Sequence, residues 1–124
     1  MPKLNLKKIV KMIGADSAAL MMPNDKDRYI YCYDSYNMPE EWVNIKNLYD
    51  ENTPSSNEVV YKTDRPVIAN LCRRKLKGYH IESVMILPIK RGKETIGMLE
   101  LIHTQANKIF SGKDLYTAQN FLNS

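Results

Sequence analysis

Two apolar runs, Ser83–Lys90 and Thr95–Thr104, flank the polar tetrapeptide Arg91-Gly-Lys-Glu94. Extended stretches on either side of a short glycine-containing turn make an antiparallel hairpin. These runs carry the most apolar residues of the chain, so the hairpin belongs at the centre of a sheet with both faces covered. The rest of the chain must supply that cover. At 124 residues a chain buries roughly two-thirds of the surface it exposes when unfolded, enough for one core. Hydrophobic residues at 44% and charged residues at 26% are far from the charge-rich, apolar-poor profile of a disordered chain.

The covering elements follow from periodicity and turn chemistry. Leu6, Ile9, Val10 and Ile13 share one side of a helix, with Lys7, Lys8 and Lys11 on the other and Gly14 closing it. Ser17–Met22 is a buried strand, Pro23–Asp27 a turn and Arg28–Tyr33 a second strand, which together form another hairpin. Asn37–Trp42 opens a short helix with Pro39 at an early position and Glu40 and Glu41 in the first turn. Tyr49–Thr53 is loop, and Ser55 with Glu58 makes a capping box for a helix over Glu58–Thr63. Pro66–Ala69 is an edge strand, since a proline at a strand start forfeits no ladder bond. Leu71–Lys77 is a basic connector, expected to be helical and stopped by Gly78. Ser111 caps a final helix with Asp114 at the reciprocal position and Leu115, Ala118 and Leu122 on one face. That helix meets Ser124 without a glycine or proline stop, so it is expected to continue in a larger protein. The order predicts a single α+β domain over residues 1–124, with an antiparallel sheet of about five to six strands.

Several functional classes are disfavoured by composition. The longest apolar run, Val84–Ile89, is far short of the ~20 residues that cross a bilayer, and no signal-type segment opens the chain, so a cytoplasmic protein without a membrane partner is expected. Cys32 and Cys72 have no second Cys or His at ligand spacing and read as free thiols. A net charge of +4 and a pI near 9.0 would suit an anionic partner. Only Leu71–Lys77 is densely basic, however, so no nucleic-acid partner is expected. The scattered carboxylates and the absence of a glycine-rich phosphate loop give no metal site, and two unspaced histidines give no catalytic residue.

Four fragments in order resemble the GAF domain, a relative of PAS domains. Ala15-Asp16-Ser17-Ala18-Ala19-Leu20 resembles the family's first strand, and Ser56–Ile68 its helix and following edge strand. Ser83-Val-Met-Ile-Leu-Pro-Ile89 and Ile96-Gly-Met-Leu-Glu-Leu101 resemble its central hairpin. Asn107-Lys108, Phe110 and Asp114 resemble an N-K-x-F-x-x-x-D-E motif of cyclic-nucleotide-binding members, with Leu115 in place of the glutamate. The resemblance implies terminal helices packed on one face of the sheet, and short helices and loops covering the other. It also implies a sensory or regulatory module of a larger signalling protein, paired as a homodimer through its terminal helices, that binds a small molecule or relays a signal. The ligand or cofactor stays unnamed.

Candidate binding residues come from two places. In the resembled fold the connector before the central hairpin covers the ligand pocket, so Arg73 and Arg74 could hold a phosphate or carboxylate beside the ring of Tyr79. Tyr31 and Tyr33 share a strand face with Tyr29 and could contact a planar ligand; cross-strand packing is the alternative role. Lys108, Phe110 and Asp114 read as structural, with Phe110 in the core, Asp114 supporting the helix start and Lys108 pairing with it. Two other functions stay open. One is a small redox enzyme resembling free methionine sulfoxide reductase, although Pro54–Val60 has no cysteine where that nucleophile would sit. The other is a dimerisation domain with a degenerate pocket.

Overall fold

The computed structural model describes residues 3–123. Its elements in chain order are α1 (Leu6–Ile13), β1 (Ser17–Asn24), β2 (Tyr29–Tyr36), α2 (Glu40–Val43), β3 (Asn47–Leu48), α3 (Ser56–Thr63) and β4 (Val67–Ala69). There follow β5 (Arg74–Leu76), β6 (Tyr79–Ile81), β7 (Ser83–Arg91), β8 (Glu94–His103) and α4 (Gly112–Asn123). Six strands form one antiparallel sheet in the order β3-β2-β1-β8-β7-β4, and β5 and β6 form a separate ribbon. The hairpin expected over 83–104 is β7 and β8, in register from Ser83 opposite His103 to Arg91 opposite Glu94. Gly92 adopts a φ of 64° in its turn, a conformation that costs glycine little.

Period-2 alternation divides the sheet into two faces. Leu20, Met85, Leu87, Leu99 and Leu101 point to one side, where they pack with Leu6, Ile9 and Val10 of α1 and Ala118 of α4. Ala19, Met21, Ile30, Ile86 and Met98 point to the other and meet Val60 of α3. Val84 and Ile102 continue that second face toward Trp42 and Ile81. The terminal helices therefore cover one face and the short ones the other, as the family resemblance implied.

Helix ends follow the capping residues. Asn5 Oδ1 accepts the Lys8 N–H at 3.1 Å, and Gly14 ends α1 with a φ of 81°. At α4, Ser111 Oγ accepts the Asp114 N–H at 3.1 Å, while Asp114 Oδ2 accepts the Ser111 N–H at 2.9 Å. At α3 only half of the expected box forms. Ser55 Oγ accepts the Glu58 N–H, but Glu58 Oε1 turns to the Asp50 N–H at 2.9 Å and orders the preceding loop instead. The start of β1 is tied to the end of β8 by Asp16, whose Oδ2 accepts both the N–H and the hydroxyl of Thr104 at 2.6 and 2.9 Å.

One expectation needs correction. The connector over 71–77 is not a helix: Arg74 pairs with Ile81 and Leu76 with Tyr79 across a turn at Lys77-Gly78. Both turn residues have positive φ, 51° and 85°, the signature of a two-residue hairpin turn. The ribbon prevails because it places Leu76 and Ile81 against Trp42, whereas a helix over 71–77 has no apolar stripe to bury. The short strand β3 pairs Asn47 and Leu48 with β2, just before the expected loop. The expected continuation of α4 past Ser124 lies outside the described residues, and no described helix is long and apolar enough to cross a membrane.

Leu101 is fully buried at the junction of β1, β7 and β8. Leu101→Ala should therefore destabilise the fold by about 2–5 kcal/mol, read as a lower urea midpoint with an unchanged denaturant slope.

Candidate functional site

Between the α3 face of the sheet and the β5–β6 ribbon lies a cavity of about 170 Å³. Its floor is sheet, from Met21, Cys32, Ile86, Glu100 and Ile102; Met38 and Trp42 form one wall. Ser55, Ser56 and Asn57, at the start of α3, form another, and Arg74, Lys75, Leu76 and Ile81 close it from the ribbon. Most of this lining is apolar, so the polar groups within it stand out.

Glu100 is the least expected. The alternation of β8 that sends Leu99 and Leu101 into the helix-covered core sends Glu100 to the cavity. Its cross-strand neighbours are Ala19 on β1 and Ile86 on β7, neither of which can solvate a carboxylate. Oε1 accepts a hydrogen bond from Asn57 Nδ2 at 2.9 Å. Burial raises the Glu100 pKa above the usual carboxylate range, against the opposing pull of that hydrogen bond and of the Arg74 charge. Asn57 is itself 6% exposed, and its Oδ1 is buried without a hydrogen-bond donor. A buried orphan acceptor costs about 1–3 kcal/mol, and orphans of this kind are uncommon in folded proteins.

Trp42 braces the wall. Its indole N–H donates to the Leu76 carbonyl at 2.8 Å, and its ring stands edge-on to Tyr79 with centroids 5.7 Å apart. Glu82, just after the ribbon, fixes it from behind by accepting the Asn107 N–H at 2.6 Å. The same carboxylate meets His80 Nε2 at 2.7 Å and Arg73 Nε at 3.5 Å. The Asn107 N–H, followed by His80, holds the Glu82 pKa below the usual range.

The sequence-derived candidates scatter. Arg74 lines the cavity. Arg73 instead reaches Glu82 and the Asn107 side chain. Tyr79 lines a shallow recess with Asp16, His80 and Thr104 on the outer side of Trp42. Tyr31 and Tyr33 lie on the sheet face away from the cavity, because their neighbours Ile30 and Cys32 occupy the near face, and Tyr33 is 57% exposed. Phe110 is buried with its ring 4.2 Å from that of His103, and Asp114 caps α4. The Lys108 carbonyl accepts from Ser83 Oγ, but its ammonium does not pair with Asp114; among the described residues ion pairs converge on Glu82. Glu100, Asn57 and Trp42 are the residues that sequence reasoning missed. Glu100 had a signal, a charge between two leucines in a strand that must be covered on both faces.

A curled antiparallel sheet with terminal helices on one face and short helices over a cavity on the other is the architecture of sensory GAF domains. The sequence model of the GAF domain family matches residues 4–124, and the chain belongs to that family. The second GAF domain of DevS from Mycobacterium smegmatis is similar in fold, with TM-score 0.74 and 15% identity over 95% of this chain and 82% of that one. So is the GAF domain of the Acinetobacter phosphoenolpyruvate-protein phosphotransferase, with TM-score 0.73 and 12% identity over 94% and 72%. A type II free methionine-R-sulfoxide reductase from Thermoplasma acidophilum also matches, with TM-score 0.73 and 10% identity over 94% and 80%. At these identities the likeness is one of fold. No curated protein matches the chain.

A carboxyl whose pKa is raised by folding adds stability below its unfolded pKa and loses it as pH rises through the folded value. Glu100→Gln keeps an acceptor for Asn57 and removes a half-buried charge. The variant should melt above the parent at pH 7, and the two melting temperatures should converge as pH falls below the ordinary carboxylate range.

Proposed function

We propose that this chain is a non-catalytic sensory module of a larger cytoplasmic signalling protein, binding a small molecule in the cavity between α3, the ribbon and the sheet. The observation that carries this reading is the juxtaposition of Glu100 with the orphaned Asn57 Oδ1 at the lining of a mostly apolar cavity. A purely structural core gains nothing from an unpartnered acceptor beside a carboxylate, whereas a binding site gains specificity from such groups.

The chemistry of Cys32 supports a role without catalysis. Cys32 lines the cavity, but burial first, then the charges of Glu100 and Asp34, push its thiol pKa up to about 11. Only the thiolate is a nucleophile, so a Cys32 thiol held this high is a weak nucleophile at neutral pH. Among the described residues no cluster of His, Cys, Asp and Glu could hold a metal ion.

Pairing belongs to the same reading. Met12 and Tyr116 are 52% and 65% exposed and flank a groove between α1 and α4 with Lys8, Thr117 and Asn120. A second copy laid against this face buries both side chains and couples the two cavities through the terminal helices.

Trp42 is the chain's single tryptophan and lines the cavity, so its emission reports occupancy. In a thermal screen against nucleotides, amino acids and tetrapyrroles, a ligand at a hundred times its dissociation constant should add about 2.7 kcal/mol and change that emission. Silence in both readouts would leave a relay domain with a degenerate pocket. Sedimentation should show a dimer that Tyr116→Glu dissociates; a parent monomeric at high concentration contradicts the pairing.

A further inference from the structure

The polarity of the cavity specifies its occupant more narrowly than its shape does. Glu100 Oε1 receives the Asn57 amide, and no lysine or arginine lies within ion-pair distance of the Glu100 carboxylate among the described residues. Asn57 Oδ1, on the same hydrogen-bonded pair, has no donor. The protein thus presents a carboxylate and an adjacent carbonyl oxygen, both acceptors, against walls of Met21, Ile86, Ile102 and Trp42. Arg74 and Lys75 line the same cavity from the exposed ribbon, and the Arg74 charge reaches Glu100 without an ion-pair contact.

A group that fills this gap must donate more than one hydrogen bond and offset one negative charge. Phosphates, carboxylates and nitrate do neither beside Glu100, and a hydroxyl donates one proton without the charge. A primary ammonium has three donors and a full positive charge. A cavity of about 170 Å³ lies below the roughly 300–1,000 Å³ of sites for drug-sized ligands, so the rest of the molecule is small, and the walls make it apolar. The geometry points to a small primary ammonium compound with an apolar body as the ligand, its nitrogen held between Glu100 and Asn57 Oδ1. This rests on the sensor reading above and adds the ligand's chemical class.

Three probes with one branched skeleton separate the possibilities: isopentylamine, isopentanol and isovalerate, titrated to about 20 mM, where even a millimolar binder is mostly bound. Amide chemical shifts of Ala19, Asn57 and Glu100 are the readout. Isopentylamine should shift all three saturably, and Glu100→Gln should weaken it at least about tenfold. Isovalerate should leave the three amides in place. Binding of isovalerate or isopentanol as tight as that of the amine, or amine binding that Glu100→Gln does not weaken, overturns the ammonium assignment and leaves the cavity as a ligand site of other specificity. No response to isopentylamine overturns the assignment too; the broader thermal screen then decides separately whether the cavity binds anything.

Discussion

The side-chain alternation of β8 is the constraint on which the rest of the molecule depends. One strand contributes Leu99 and Leu101 to the core beneath the terminal helices, and Met98, Glu100 and Ile102 to the opposite face. A slip of one residue would exchange the two sets, placing a carboxylate in the main core. Register is held from both sides, by β1 and by β7, and at the strand end by the grip of Asp16 on Thr104. Core stability and the chemistry of the cavity are thus one specification written on a single strand.

The periphery satisfies its polar groups more fully than the cavity does. Asp25, in the β1–β2 turn, accepts the hydroxyls of Tyr49 and Tyr61 at 2.8 and 2.6 Å, which pins that turn to α3 and to the segment before it. The Tyr61 hydrogen bond is the main influence holding the Asp25 pKa low, and the Lys62 ammonium lies 4.6 Å from the Tyr49 ring centre and 5.6 Å from that of Tyr61. Asn70 performs a similar tie on the other side, exchanging two 2.8 Å hydrogen bonds with the backbone of Phe110. These contacts position α3 and the loop before α4 without entering the cavity, where Asn57 keeps its orphaned oxygen.

Elements with strong periodicity or distinctive turn chemistry were legible in the sequence: the central hairpin, α1 with Gly14, the edge strand after Pro66, and α4 with its Ser111 and Asp114 cap. The ribbon was not, because its strands are too short to show alternation and Gly78 marks a helix end as readily as a hairpin turn. At Tyr31 and Tyr33 the shared face was readable, but which face meets the cavity depends on the pairing with β1, whose register shifts between Leu20 and Met21. Asn57 was beyond reach, since its role exists only once α3 lies across β8. Glu100 was hidden in plain view, read as part of a strand motif rather than as a charge that such a strand should not carry.

The ribbon stands apart from the main sheet, and a two-stranded hairpin on its own is at most marginally stable. It stays in place through a handful of ties: the Trp42 indole on Leu76, the packing of Leu76 and Ile81 with Trp42, and the Asn107 N–H on Glu82. Segments secured this way open locally at far lower free energy than the sheet beneath them. In the proposed sensor, grip and tempo would therefore reside in different parts of the molecule: the strand floor would govern how long an occupant stays, and opening of the ribbon how soon one arrives. Substitutions around Glu82 can retune the response time of such a module without touching what it recognises.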